Sequence, residues 1–172
     1  MKLFKPTMYQ KTIHDINYQK LKDQGITCLI FDLDNTLGLI SNKNCPKETV
    51  QLIKKLKKDF LILISSNNTS RRLRPYLEEL EIDGVAWSMK PSIKGLVYAK
   101  RKHHLKKKEM CIIGDQVVTD ILAGNRFHIK TVLVDPLGKK DLKITELNRL
   151  IESLILKKYQ KRGVFERGKY YE

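Results

Sequence analysis

Short apolar runs alternate along the chain with stretches of helical period. Ile26 to Phe31, Phe60 to Ser65, Val85 to Met89, Met110 to Ile113 and Thr131 to Val134 have strand length and β-branched content. Consecutive apolar positions predict strands buried on both faces, as in a parallel sheet. Between them the pattern turns amphipathic. Pro46 suits a first helical turn, and Val50, Ile53 and Leu56 follow with Lys54, Lys55, Lys57 and Lys58 interleaved. Ser70 is placed to cap a helix carrying Leu73, Leu77 and Leu80, with Pro75 disturbing its early turns. Ser92 is placed to cap another, with Ile93, Leu96 and Val97 on one face, and Thr119 to Phe127 makes a short one. Thr145 precedes a long final helix with Leu147, Leu150, Ile151, Leu154 and Ile155 in one stripe. Strands alternating with helices imply right-handed crossovers. The expected fold is therefore α/β, a Rossmann-like three-layer sandwich on a parallel sheet of five or more strands. Residues 1–25 are expected to form an N-terminal extension packing on or beside the core, 26–156 the domain, and 157–172 a basic tail.

Composition narrows this only a little. Of 172 residues, 34 are Lys or Arg and 19 Asp or Glu, a formal charge of +15. That excess calls for an anionic partner (nucleic acid, acidic membrane or phosphorylated substrate) or simply solubilises the surface, and charge does not choose among these. No apolar run approaches the ~18 residues of a membrane span, because Asp32 and Asp34 interrupt the stretch Cys28 to Leu37. The first residues, Met1 to Pro6, have no apolar stretch behind them, so no secretory signal is expected and the expected location is cytoplasmic. Three cysteines without a Cys-x-x-Cys pair argue against a disulfide framework or structural zinc. Cys28 and Cys111, inside apolar runs, read as buried reduced thiols.

In a parallel sheet, ligands bind beyond the carboxyl ends of the strands. There the sequence places Asp32-Leu33-Asp34-Asn35-Thr36, Ser65-Ser66-Asn67-Asn68, Lys90-Pro91, and Gly114-Asp115 followed by Asp120. Carboxylates converging on one edge repel unless a divalent cation neutralises them, and hard oxygen donors without Cys or His favour Mg²⁺ over zinc. Lys90 adds a second positive contact. His14, His103, His104 and His128 have no ligand spacing.

This order of motifs resembles the haloacid dehalogenase (HAD) superfamily: an apolar strand ending in Asp-x-Asp-x-Thr (Asp32, Asp34, Thr36), a strand-end Ser, a Lys (Lys90), and Gly-Asp-x-x-x-x-Asp (Asp115, Asp120). The resemblance implies that Asp32 is the nucleophile and that Asp34 is the general acid and base. It implies Mg²⁺ held by Asp32, the main-chain carbonyl of Asp34 and Asp115, with Asp120 supporting or ligating through water. It makes Lys90 the residue that balances the carboxylates and orients the nucleophile. Ser66, Asn67 and Lys90 are expected to bind the substrate phosphate. Family members place Asn directly after the phosphate-binding Ser, which favours Ser66, although Ser65 stays open. Asp34 is the carboxylate that dehalogenase members lack, so the resemblance points to a phosphatase.

Neither 38–64 nor 67–89 leaves room for a cap domain, which implies an open site and a bulky phosphate ester. Asp-Leu-Asp-Asn-Thr-Leu at 32–37, Ser-Asn-Asn at 66–68, Lys90-Pro91 and Gly-Asp-Gln-x-x-Thr-Asp-x-x-x-Gly-Asn at 114–125 resemble the bacterial YqeG family, a capless subclass IIIA branch. That family is similar to mitochondrial phosphatidylglycerophosphate phosphatases, which makes an anionic phospholipid the leading substrate and implies peripheral association with the inner face of the membrane. Lys2, Phe4, Lys5, Met8 and Tyr9 could form a basic and apolar foot there, or Phe4, Met8 and Tyr9 could cover the sheet edge. Two rivals stay open: a nucleic-acid end phosphatase using the basic run Lys100 to Lys108, and a non-catalytic binding protein that keeps the fold. Oligomeric state is left undetermined.

Overall fold

The computed structural model describes residues 3–138, 143–163 and 165–172, with only the backbone path for 143–151. Lys2 lies outside the described residues, as do the stripe side chains Leu147, Leu150 and Ile151. Among the described residues six parallel strands form one sheet: β1 (Met8–Gln10), β2 (Cys28–Phe31), β3 (Leu61–Ser65), β4 (Asp83–Val85), β5 (Met110–Gly114) and β6 (Lys130–Val134), in the order β1-β6-β5-β2-β3-β4. Six helices connect and flank them: α1 (Tyr18–Asp23), α2 (Lys47–Leu56), α3 (Ser70–Leu80), α4 (Lys94–Lys102), α5 (Leu122–Phe127) and α6 (Lys143–Lys161). The architecture is α/β in three layers, as the alternating pattern predicts.

Side-chain alternation along the strands divides the core. Leu29, Phe31, Ile62, Ile64, Cys111 and Ile113 face one side, where Leu21 of α1, Ile53 and Leu56 of α2 and Leu73, Tyr76 and Leu80 of α3 meet them. Cys28, Ile30, Leu63, Met110 and Ile112 face the other side, against Leu96 and Ala99 of α4 and Ala123 and Phe127 of α5. Each such Leu, Ile or Phe contributes about 1.5–3 kcal/mol through burial. A third cluster joins Tyr9 and Leu133 to Tyr159 of α6 and to Phe165.

Two local expectations change, and one open alternative closes. The apolar run Val85 to Met89 is not a strand: β4 ends at Val85, and Trp87 and Met89 are exposed. The cap of α3 is the Thr69 side chain, which accepts from the Arg72 N–H at 3.2 Å. Of the two readings of the leader, the sheet edge holds: Met8 and Tyr9 are buried in β1, and Phe4 packs on Tyr159. Residues 3–7 precede a parallel strand, so they lie at the N-terminal edge of the sheet. Lys100 to Lys108, leading into β5, lie at that same edge. The segment 165–172 lies against the outer side of β1, where Tyr9 and Tyr171 exchange backbone hydrogen bonds of 2.8 and 2.9 Å.

Candidate active site

β2 lies between β3 and β5, and the chain leaves it first to one side and later to the other. At such a switch point the following loops part and open a crevice. Asp32 follows β2 directly, its N–H donating to the Ile113 carbonyl at 2.8 Å. Ser65 closes β3 beside it and Gly114 closes β5.

Lys90 enters from the connection after β4 and is 6% exposed. Its ammonium donates to Asp32 Oδ1 at 2.5 Å, Asp120 Oδ1 at 2.6 Å and the Ser65 carbonyl at 2.7 Å. An ammonium has three donors, so it is saturated. Carboxylate oxygens of Asp32, Asp115 and Asp120 lie within 4.8 Å of one another, all three residues buried. One cation against three buried carboxylates leaves excess negative charge. Burial accordingly pushes the Asp32 carboxyl well above its ordinary range; Lys90 pulls it down, and Asp120 and Asp115 push it up further. Burial pulls the Lys90 ammonium down, but Asp120 and Asp32 together hold it above its ordinary value. A trio of carboxylates with too little positive charge fits a hard divalent cation.

Local structure explains the Gly-Asp-x-x-x-x-Asp spacing. Val117–Ile121 winds as a π turn, folding Asp120 back over the end of β5. A Cβ on Gly114 would fall 2.3 Å from Asp120 Cγ, so a side chain there would displace the carboxylate. The Gln116 N–H donates to Asp120 Oδ2 at 3.2 Å, and Thr36 Oγ1 donates to Asp115 Oδ1 at 3.4 Å.

Two of the expected site residues have side-chain partners remote in sequence. The carboxylate of Asp34 is not part of the trio. Arg72 of α3 holds it, with Nε at 3.1 Å and Nη2 at 2.7 Å from Oδ1, and Asn68 donates to Oδ2 at 2.7 Å. A metal role for Asp34 therefore rests on its main-chain carbonyl. The Asn67 side chain engages the segment that carries Lys90: its amide donates to the Lys90 carbonyl at 2.9 Å and accepts from the Lys90 N–H at 2.7 Å and from Ser88 Oγ at 3.0 Å. It fixes the backbone that carries Lys90. Ser66 is buried, and its hydroxyl accepts from the Asn68 N–H at 3.1 Å. The Ser65 hydroxyl is buried without a hydrogen-bond partner among the described residues.

Two arginines escaped the pattern. Arg72 also donates to the carbonyls of Asn42 and, at 3.2 Å, Leu39, tying the loop after β2 to α3. Arg167 donates to the Asp115 carbonyl at 3.2 Å and pairs with Glu152 and Asp135. Neither lies at a strand end, and no spacing signals them.

A buried carboxylate trio and lysine at the switch point of a parallel sheet define a HAD-like hydrolase. A family model described as HAD-hydrolase-like matches residues 89–147. The fold is shared with a HAD family enzyme of Bacteroides thetaiotaomicron solved with magnesium and inorganic phosphate, at TM-score 0.52 and 13% identity, covering 70% of this chain and 99% of that one. The chain is also 36% identical over 163 residues to the "Probable phosphatase YqeG" of Bacillus subtilis, covering 94% of this chain and 95% of the relative. The chain belongs to the YqeG family of HAD phosphatases. A more distant similarity, 26% over 170 residues, joins it to the chloroplastic and mitochondrial phosphatidylglycerophosphate phosphatase 1 of Arabidopsis thaliana, of which it spans 49%. No helix among the described residues is long and apolar enough to cross a membrane.

Proposed function

We propose that this phosphatase is Mg²⁺-dependent, works through an aspartyl-phosphate on Asp32, and removes the phosphate from phosphatidylglycerophosphate. The observation that carries the chemistry is the buried trio with Lys90 bridging Asp32 and Asp120. Asp32, Asp115 and the main-chain carbonyl of Asp34 would hold the cation, with Asp120 behind them. When bound, it supplies positive charge to the phosphoryl oxygens and the nucleophile.

Lys90 fixes the Asp32 carboxylate, whose oxygen attacks phosphorus as the ester P–O bond breaks. The Asp34 carboxyl gives its proton to the leaving alkoxide. Asp34, now a carboxylate, takes a proton from water, and the resulting hydroxide displaces Asp32 to release phosphate. Ser66 and the neighbouring backbone N–H groups hold phosphate oxygens.

The lipid reading draws on the Arabidopsis relative's name and on the open edge, since only a loop and α2 lie between β2 and β3, and only α3 between β3 and β4. Phosphate release from vesicle phosphatidylglycerophosphate, end-phosphorylated oligonucleotides, phosphopeptides and sugar phosphates tests it. Mg²⁺-dependent release from the lipid is expected, with Asp32→Asn abolishing it. Turnover of oligonucleotides alone would overturn the lipid assignment, and turnover of nothing would favour a binding protein.

A further inference from the structure

Two large apolar side chains stand on the rim of the catalytic edge. Trp87 and Met89 are each 63% exposed. Both have left-handed backbones, with φ of 52° and 56°, a region that bulky residues seldom adopt. The residues alternating with them, Ser88 and Lys90, are buried. The Ser88 N–H donates to the Ser66 carbonyl at 3.0 Å, and Asn67 holds Ser88 Oγ and the Lys90 N–H. The contacts that seat Lys90 beneath the nucleophile thus turn Trp87 and Met89 outward.

Two exposed cations flank this rim. The connections 66–69 and 86–93 contain no acidic residue, and exposed Arg71 and Lys94 lie in the first turns of α3 and α4. Residues 3–7, by contrast, sit at the far edge and would hold the site away from any surface they touched.

We propose that the rim is an interfacial anchor: Trp87 and Met89 enter the headgroup region of a bilayer containing anionic phospholipid, with Arg71 and Lys94 against its phosphates. A phosphomonoester on a lipid headgroup is then presented directly to Asp32 and Lys90. This rests on the lipid reading above and adds the surface that meets the lipid. Tryptophan prefers the membrane–water interface, and anionic leaflets attract nearby Lys and Arg.

Trp87 is the only tryptophan in the chain, so its emission reports on the rim itself. Vesicles of phosphatidylcholine with phosphatidylglycerol should shift that emission to the blue and carry the protein in flotation, whereas phosphatidylcholine alone should do so far less. Met89→Ser should weaken vesicle binding about tenfold, the order expected for losing one buried apolar side chain. In Met89→Ser and Trp87→Ser alike, turnover of vesicle phosphatidylglycerophosphate should fall about tenfold relative to turnover of p-nitrophenyl phosphate. Met89→Ser carries the test if Trp87→Ser fails to fold. An unshifted emission with both vesicles, or an unchanged turnover ratio, would overturn the anchor. So would a blue shift that grows with protein concentration without vesicles, which would assign the rim to a second copy of the chain. Vesicle binding at the rim without turnover of the lipid would support the anchor and remove the substrate assignment. Lipid turnover without vesicle binding would do the reverse.

Discussion

Lys90 holds the site together because its three donors meet acceptors at the ends of β2 and β3 and in the π turn after β5. Removing one partner of a buried ion pair leaves the other charge uncompensated, at a cost of about 3–5 kcal/mol. Lys90→Met should therefore lower the unfolding free energy in urea by an amount of that order in the absence of metal, and reduce kcat by about 10²-fold or more, as loss of a group stabilising the reacting charge does. The residue types at this site were legible from sequence: aspartates, a lysine and a strand-end serine in the expected order. Their directions were not. Asp34 and Asn67 both turn toward partners remote in sequence, Arg72 and Lys90, and no local pattern encodes which cation or amide a side chain will meet.

Among the elements, β4 and its helix offer the clearest pH dependence. Asp83 opens β4 and pairs with Lys102 and, at 3.2 Å, with His103 at the end of α4. Partial burial pushes its carboxyl up, but the Lys102 hydrogen bond, the Gly84 N–H and the charges of Lys102 and His103 bring it below the ordinary value. A depressed folded-state value means that the unfolded chain binds the proton more readily. The contribution is present above the ordinary carboxylate range, about pH 4, and is lost as pH falls through the lower folded value. Asp83→Asn should lower the melting temperature at pH 7, by an amount equivalent to under about 1 kcal/mol given its exposure, and the difference should shrink toward zero near pH 2. Thermal unfolding at the two pH values measures it. The same region shows where periodicity misleads. The run from Val85 looks like a strand, yet the ladder stops there because the turn 66–68 takes over its backbone partners: Ser66 N–H to the Val85 carbonyl, Trp87 N–H to the Asn68 carbonyl and Ser88 N–H to the Ser66 carbonyl, each at 3.0 Å. β1 shows the converse. Three residues are too few for a pattern, and they become a strand because β6 offers an edge on one side and Tyr171 covers the other.

For the whole molecule, a cation that binds only the folded state stabilises it by mass action, about 2.7 kcal/mol at a hundred times its dissociation constant. In a domain of this size that is roughly 5–10 °C. Mg²⁺ should raise the melting temperature by that order over a chelated sample, and Asp115→Asn should abolish the increment while phosphate release disappears with it. An increment that survives Asp115→Asn would move the cation elsewhere.

The sequence by itself determined the layered α/β plan, the strand ends where chemistry collects, and the residue types waiting there. Strand and helix periods are local, and burial enforces them. The tertiary structure decided the rest. It clamped Asp34 to Arg72, spent the Asn67 amide on Lys90, brought Arg167 to the Asp115 carbonyl and turned Trp87 and Met89 outward. Each of these is a competition among polar groups far apart in the chain, settled only when the fold brings them within hydrogen-bonding distance.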